Sequence, residues 1–267
     1  MLSLEFLGSG TSTGVPTIGC ACAVCTSSDP RNKRLRPSVL LRGGETTVVV
    51  DTGPDFREQM LRAQVTQLDA VLITHYHADH VVGIDDLRRF NHLQKRVLDC
   101  WATEATQARL RQCFGYVFSE TLRPGLPNLK AQTITPGEPF AIGDLRLEPY
   151  EIDHHVMANV ALKITRAGSD PARSEGPVLV YCMDVKRIPE ASYAALAGAD
   201  ILILDMLREQ PHPTHMNLEE SLAAVERLKP KRTWFAHMGH EVDHATLEAK
   251  LPPSIRLSYD GLIVRLP

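Results

Sequence analysis

Residues 74–80 read Thr-His-Tyr-His-Ala-Asp-His, placing His75, His77, Asp79 and His80 within six positions. A solitary histidine usually meets its own hydrogen bonds in a core or on a surface and does nothing more. Four ligand-type side chains packed this closely, after the apolar run "VLIT" and before Gly83, point to metal binding. On extended backbone, residues two apart share a side, so His75 and His77 point one way. Asp79 and His80, on the turn that follows, point to a second position a few ångström away. One short loop can thus begin two metal sites, which further ligands, a shared carboxylate and solvent would complete.

A second cluster lies nearer the N-terminus, where "CACAVC" sets Cys20, Cys22 and Cys25 together. A disulfide needs Cα atoms several ångström apart with converging Cβ vectors, so thiols this crowded suit a metal better. A tetrahedral site asks for a fourth ligand, which the local sequence does not supply. The remaining cysteines, Cys100, Cys113 and Cys182, sit in apolar or helical surroundings and are read as reduced, buried thiols.

Elements must carry these side chains to one place. Apolar runs at 2–7, 38–41, 47–50, 70–74, 145–150, 160–165, 178–181, 201–204, 233–236 and 262–264 read as strands. Helical patterns cover 56–63, 104–112, 189–197 and 218–228, the last with Asn217 as N-cap. Early strands come in hairpin-like pairs with helices between and after, which predicts two sheets with helices outside rather than one doubly wound sheet. Asp51, His75, Asp184, Asp205 and His237 each leave the end of a buried run and would converge on one sheet edge. Asp51 and Asp205 also read as ordinary turn formers. Stretches 123–129 and 167–176 read as loops inside one domain spanning 1–267.

The 267 residues can bury a full core, and a net charge of −3 provides no broad basic surface for long nucleic acid. No run is long enough to cross a bilayer, and the opening "MLSLEFLGSG" lacks the basic and apolar regions of a signal peptide. A cytoplasmic location and no membrane partner are expected. "GSGTSTG" follows a strand without opening a phosphate-binding or dinucleotide helix and reads as a turn beside the active site. No Ser-His-Asp or Cys-His arrangement competes.

The H-x-H-x-D-H loop resembles the hallmark of the metallo-β-lactamase fold hydrolases. That resemblance implies an α/β fold, an αββα four-layer sandwich of two mixed sheets with helices outside, and a binuclear site at one edge. It implies further ligands from "EIDHHVMANVALKI", "LVYCMD" and "TWFAHMGH". The ligands it assigns are His75, His77 and His154 on one ion, Asp79, His80 and His237 on the other, and Asp184 bridging. Spacing to "ALKI" selects His154, and a shorter spacing also known in the fold selects the adjacent His155. "LGSGTSTGVPTIGCACAVC", "VVVDTGPDFREQML", "PHPTHMNLEE" and "LSYDGL" are similar to the PhnP-like branch, the phosphoribosyl cyclic phosphodiesterases. In that branch three N-terminal cysteines and a histidine hold a structural zinc, which here implies a loop at 19–25 closed by Cys20, Cys22, Cys25 and His240.

The resemblance implies two divalent catalytic ions, zinc or manganese, hydrolysing a small cyclic or nucleotide-like phosphodiester. It makes Asp79 and Asp184 part of the catalytic centre, with His215 of "HPTHMN" as the proton donor and His212 as a weaker candidate. A homodimer is an admissible assembly. Three rivals stand beside this reading: a ribonuclease Z-like nuclease maturing transfer-RNA 3′ ends, a cofactor-biosynthesis protein like the pyrroloquinoline quinone B protein, and a metal-storing or partner-binding module.

Overall fold

The computed structural model describes residues 1–155, 157–166 and 176–266. The first sheet contains β1 (Leu2–Gly8), β2 (Ser38–Gly43), β3 (Thr46–Val50), β4 (Ala70–Leu72), β5 (Leu98–Thr103) and β6 (Leu129–Ile134). The second contains β7 (Phe140–Ile142), β8 (Leu145–His154), β9 (Met157–Arg166), β10 (Leu179–Cys182), β11 (Ile201–Asp205), β12 (Arg232–Ala236) and β13 (Ile255–Leu257). The last strand, β14 (Ile263–Leu266), returns to pair with β1, so the first sheet runs β14-β1-β2-β3-β4-β5-β6 and the second β13-β12-β11-β10-β9-β8-β7. Both are mixed: antiparallel pairs occupy one half of each, and β3 to β6 and β10 to β13 run parallel.

Helices cover both outer faces. Over the first sheet lie α1 (Phe56–Arg62), α2 (Ala78–Val81), α3 (Arg88–Gln94) and α4 (Glu104–Phe114); over the second lie α5 (Glu190–Leu196), α6 (Leu218–Leu228) and α7 (His244–Glu248). Three apolar seams hold the four layers. Leu4, Phe6, Val48, Leu72, Leu162, Tyr181 and Ile203 meet between the sheets. Leu40, Val49, Val71, Phe56 and Phe90 join the first sheet to its helices, and Val180, Leu202, Phe235, Ala224 and Leu247 join the second. Strands such as "TVVV" and "ILIL" are apolar at consecutive positions because both of their faces are covered.

The αββα expectation matches this architecture. Four strands, β5, β6, β7 and β13, were not legible as apolar runs, since polar residues interrupt "LDCWAT" and "LKAQTI" and the other two are only three residues long. Cys100 and Cys182 are buried, but Cys113 is exposed, a correction explained by its place on the outward side of α4. Residues 123–128 form a loop and Leu129 opens β6. The expected loop at 167–176 lies, except for Gly176, outside the described residues. No helix among the described residues is long and apolar enough to cross a membrane.

Local signals fix where the site segments begin and end. Asn217 caps α6 with its side chain accepting from Glu220 N at 3.0 Å, while Glu220 Oε2 accepts from Asn217 N at 2.9 Å. This reciprocal pair ends the segment that carries His215. Asn217→Ala is expected to lower stability by about 1 kcal/mol, read as a lower urea midpoint at unchanged slope.

Candidate metal centre

The C-terminal edges of the parallel strands meet at one end of the sandwich, where Asp51 follows β3, Asp184 follows β10, Asp205 ends β11 and His237 follows β12. Asp51, Asp184 and His237 all have left-handed backbone, with φ of 66°, 52° and 65°. L-residues rarely adopt that conformation, and its recurrence at three strand ends re-aims each side chain toward the gap between the sheets.

Two donor clusters share that gap. His75 Nε2 lies 2.9 Å from His77 Nδ1, and His154 Nε2 lies 3.3 Å from the same atom. Asp184 Oδ2 stands 3.5 Å from His75 Nε2 and 4.0 Å from His154 Nε2. In the second cluster, Asp184 Oδ2 is 3.0 Å from His80 Nε2 and its Oδ1 is 3.1 Å from His237 Nε2. Asp79 Oδ2 lies 3.4 Å from His80 Nε2 and 4.0 Å from His237 Nε2. Asp184 therefore belongs to both groups.

The donor chemistry fits cations in these positions. Asp184 Oδ1 and His237 Nε2 are buried and without an aligned hydrogen-bond partner, a costly state for two polar atoms facing each other. Burial pushes the pKa values of His75, His77 and His154 down, the last to about 4, so these rings are neutral and present lone pairs. Burial also opposes charge on His80, but the Asp184, Asp51 and Asp79 carboxylates around it outweigh that and raise its pKa well above the usual range. Asp184 moves oppositely: burial favours its neutral form, and His237 and His80 reverse the balance and hold it well below the usual carboxylate range. This concentration of opposed charges is what a bound divalent ion would settle.

Outer partners orient the rings. Thr74 Oγ1 donates to Asp51 and lies 3.1 Å from His75 Nδ1. His80 Nδ1 lies 2.8 Å from Asp51 Oδ2, and His154 Nδ1 lies 3.0 Å from the Thr214 carbonyl. Each contact commits one ring nitrogen outward and leaves Nε2 facing the clusters. Asp51 is thus a buried orienting group rather than a turn former. The Thr52 amide donates to the His80 carbonyl, and a Cβ at Gly53 would collide with the Asp79 carbonyl, so only glycine lets this turn cradle the histidine loop.

Asp205 is a second orienting carboxylate. Its Oδ2 lies 2.8 Å from His215 Nδ1 and accepts from Val185 N at 2.9 Å, while its Oδ1 faces His237 Nδ1 at 3.9 Å. The His215 ring stacks on His237 at 4.6 Å between centroids. Both line a cavity of about 410 Å³ with Ser12, His77, Asp79, His154 and Asp184. Ser12 brings the "GSGTSTG" turn to this cavity, where the sequence reading expected it. His155 also reaches the rim, but it is exposed on the left-handed turn after β8 and joins neither cluster. His212 packs 5.3 Å from His215 and does not line the cavity.

A third group gathers Cys20, Cys22, Cys25 and His240. The Cys20 and Cys22 sulfurs each lie 3.4 Å from His240 Nδ1. Backbone N–H groups of Cys25 and Thr17 donate to the Cys22 and Cys25 sulfurs. The His240 contact and then the Cys25 amide lower the Cys22 pKa to about 6, favouring thiolate, while burial raises that of Cys25. Sequence reasoning missed what joins this group to the catalytic edge. Arg34 is fully buried and donates to the carbonyls of Gly239 at 2.9 Å and Val242 at 2.8 Å, and its backbone pairs with Val15. Burial lowers its pKa to about 10, which leaves it charged at neutral pH. Arg34 thereby ties the segment leading into the cysteine loop to the turn that carries His240. Nothing in its local sequence distinguishes it from a surface arginine.

Residues 46–238 match the model of the beta-lactamase superfamily domain. A crystal structure described as a new diphosphatase from the PhnP family superposes with a TM-score of 0.87 at 38% identity, covering 98% of this chain and 96% of that one. The chain belongs to the PhnP family of metallo-β-lactamase-fold, metal-dependent hydrolases. The PhnP-family architecture is shared by zinc-bound PqqB from Methylobacterium extorquens, with a TM-score of 0.79 over 99% of this chain and 100% of that one; at 22% identity the likeness is one of fold. An octanoyltransferase from Porphyromonas gingivalis is 36% identical over 262 residues, 96% of this chain. The PhnP-family chain spans only 50% of that relative's length, so the transfer activity named there is not carried over.

The geometry separates the adjacent histidines. His154→Ala is expected to lower bound catalytic metal, measured by elemental analysis after dialysis, and His155→Ala to retain it; the reverse result would exchange their places. If Cys20, Cys22, Cys25 and His240 hold a metal ion, Cys22→Ser is expected to release it and lower the melting temperature, because structural metal binding contributes to folding free energy. His237→Ala should affect that site far less.

Proposed function

We propose that the chain is a binuclear metal-dependent phosphodiesterase acting on a small cyclic or nucleotide-like phosphodiester. The observation that carries this reading is Asp184, whose one carboxylate serves both histidine clusters on a cavity that His215 also lines. His75, His77 and His154 would hold one divalent ion and Asp79, His80 and His237 the other, with Asp184 shared. Zinc and manganese both suit such nitrogen and oxygen donors. Cys20, Cys22, Cys25 and His240 would hold a separate zinc. When bound, the catalytic pair would activate water near neutral pH and offset phosphate charge.

The chain's own part is to deliver a proton. His215 Nδ1 is engaged by Asp205, which leaves Nε2 to serve the leaving oxygen as a general acid. Burial disfavours the charged ring, but Asp205 outweighs it and raises the pKa to about 9, so the proton is in place at neutral pH. The positive charge of an occupied site would draw that value down. The cavity of about 410 Å³ and the net charge of −3 favour a small soluble substrate over long nucleic acid. Those features weigh against a nuclease acting on transfer-RNA precursors. The site draws on residues from Ser12 to His237, which supports treating the chain as one catalytic unit.

A second reading, hydrolysis of a diphosphate bond, is favoured by the 38%-identical diphosphatase. The same groups would serve it, but a phosphate leaving group needs less help from an acid. Bis(p-nitrophenyl) phosphate, ribose 1,2-cyclic phosphate and a dinucleoside diphosphate, assayed side by side, distinguish the two. Activity is expected to vanish on chelation and to return with Mn²⁺ or Zn²⁺; metal-independent turnover would sink the proposal.

His215→Ala is expected to keep its metals and lose about 10²-fold in rate on alkyl phosphodiesters, with a smaller loss on p-nitrophenyl esters. An equal loss on both would exclude the acid role. Because the acid works protonated, activity should fall as pH rises through the His215 pKa. Asp205→Asn removes the charge that raises this pKa, so the alkaline limb of kcat/KM should move to lower pH. An unmoved limb would assign it to another group.

A further inference from the structure

A second cavity, of about 590 Å³, lies between α3 and the loop at 122–128 and shares no lining residue with the metal cavity. Its size falls within the range of about 300–1,000 Å³ usual for small-molecule sites. Arg88, Arg89, Lys95 and Arg123 contribute four cations to its wall, and no carboxylate lines it among the described residues. Arg88 is compensated by Asp85 at 3.0 Å. The others are not: Arg89 meets the His92 ring and no carboxylate, Arg123 donates to the carbonyls of Tyr116, Phe118 and Pro127, and Lys95 forms no ion pair among the described residues. Like charges gathered in a concavity repel one another and focus a positive potential, which an anion would relieve.

The walls are held in advance. Asn91 is buried and donates from Nδ2 to the Asn128 carbonyl at 2.9 Å, while its Oδ1 accepts from Asn128 N at 2.9 Å. Asn128 Oδ1 accepts in turn from Arg123 N at 2.7 Å, and its Nδ2 donates to the Leu126 carbonyl at 2.7 Å. Two buried side-chain amides thus fix the loop to α3. The loop also presents Leu122 and Leu126 at 48% and 39% exposure, unusual for leucines beside so many cations.

We propose that this cavity is a second binding site, for an organic phosphate whose anion meets Arg89, Lys95 and Arg123 while its apolar body lies on Leu122 and Leu126. The Arg89 guanidinium, the Lys95 ammonium and the Nη1 of Arg123, whose Nη2 is held by backbone carbonyls, suit the several oxygens of a phosphate monoester dianion better than a single carboxylate. The site stands apart from the hydrolytic reading and does not depend on it. The phosphate could belong to a soluble metabolite or to a lipid headgroup.

Calorimetric titration of the metal-loaded full chain with octyl phosphate, below its micellar range, tests the proposal. One-to-one binding is expected, weakened at least tenfold by the pair Arg89→Gln and Lys95→Asn. Asn is chosen because Lys95 has left-handed backbone, with φ of 52°. Both residues are exposed, and unchanged hydrolysis of bis(p-nitrophenyl) phosphate by the pair would show an intact fold. Inorganic phosphate and octyl glucoside, offering charge or chain alone, should each bind at least tenfold more weakly. Sedimentation with phosphatidic acid vesicles that is lost in the pair would make the source a lipid; octyl phosphate binding without sedimentation would make it a soluble phosphate. Absence of binding, binding unaffected by the pair, binding lost instead in His237→Ala, or equal binding of octyl glucoside would each overturn the site.

Discussion

The arrangement turns on one buried carboxylate. Asp184 is 1% exposed, leaves β10 with left-handed backbone, and places its two oxygens toward histidines delivered by different sheets. A buried carboxylate survives only where positive charge or hydrogen-bond donors answer it. His75 comes from the loop after β4, His80 from α2 that follows it, and His237 from the end of β12, so the two sheets must close face to face for those answers to reach it. The apolar seam between the sheets provides that closure: Leu72 before the histidine loop and Tyr181 before Asp184 belong to the same cluster. Burial therefore positions the polar centre, and the polar centre makes one register of the two sheets preferable to its neighbours.

A second layer of control surrounds the first. Asp51 and Asp205 play matching parts in the two sheets, each at the end of a strand with a parallel neighbour and each holding the outward nitrogen of an imidazole. Their partners differ in consequence. Asp51 engages a ring buried among carboxylates, while Asp205 engages a ring that opens onto the cavity. One device serves orientation in the first case and proton supply in the second. Arg34 adds mechanical coupling, since its backbone pairs with Val15, ahead of the cysteine loop, while its guanidinium holds the carbonyls of Gly239 and Val242 on either side of His240. Loss of order in that loop would be felt three residues from the catalytic edge.

How much of this was legible in the sequence follows the range of each interaction. The spacing of His75, His77, Asp79 and His80, the C-x-C-x-x-C cluster, the Asn217 cap and the doubly covered strands were readable because each is written within a few consecutive residues. The sheet order was inferable only as a class, since which strand neighbours which depends on contacts between distant segments. Strands β5 and β6 escaped because polar residues break their apolar runs, and only their parallel neighbours identify them as strands.

Local sequence supplied the available chemistry: imidazoles, carboxylates and thiols in two dense groups. What the tertiary structure alone decided was which distant groups complete them. His154 rather than His155 points at His77 because alternation along β8 sends neighbouring side chains to opposite faces, and the turn after β8 carries His155 out to the rim. Asp51 and Asp205 became orienting groups instead of turn formers because burial left their oxygens no partner but an imidazole or an adjacent backbone or hydroxyl donor. His240 reaches the cysteines across more than two hundred residues, and Arg34 is buried beside it. Such pairings depend on distance in space, which residue spacing does not encode once the chain has folded back on itself.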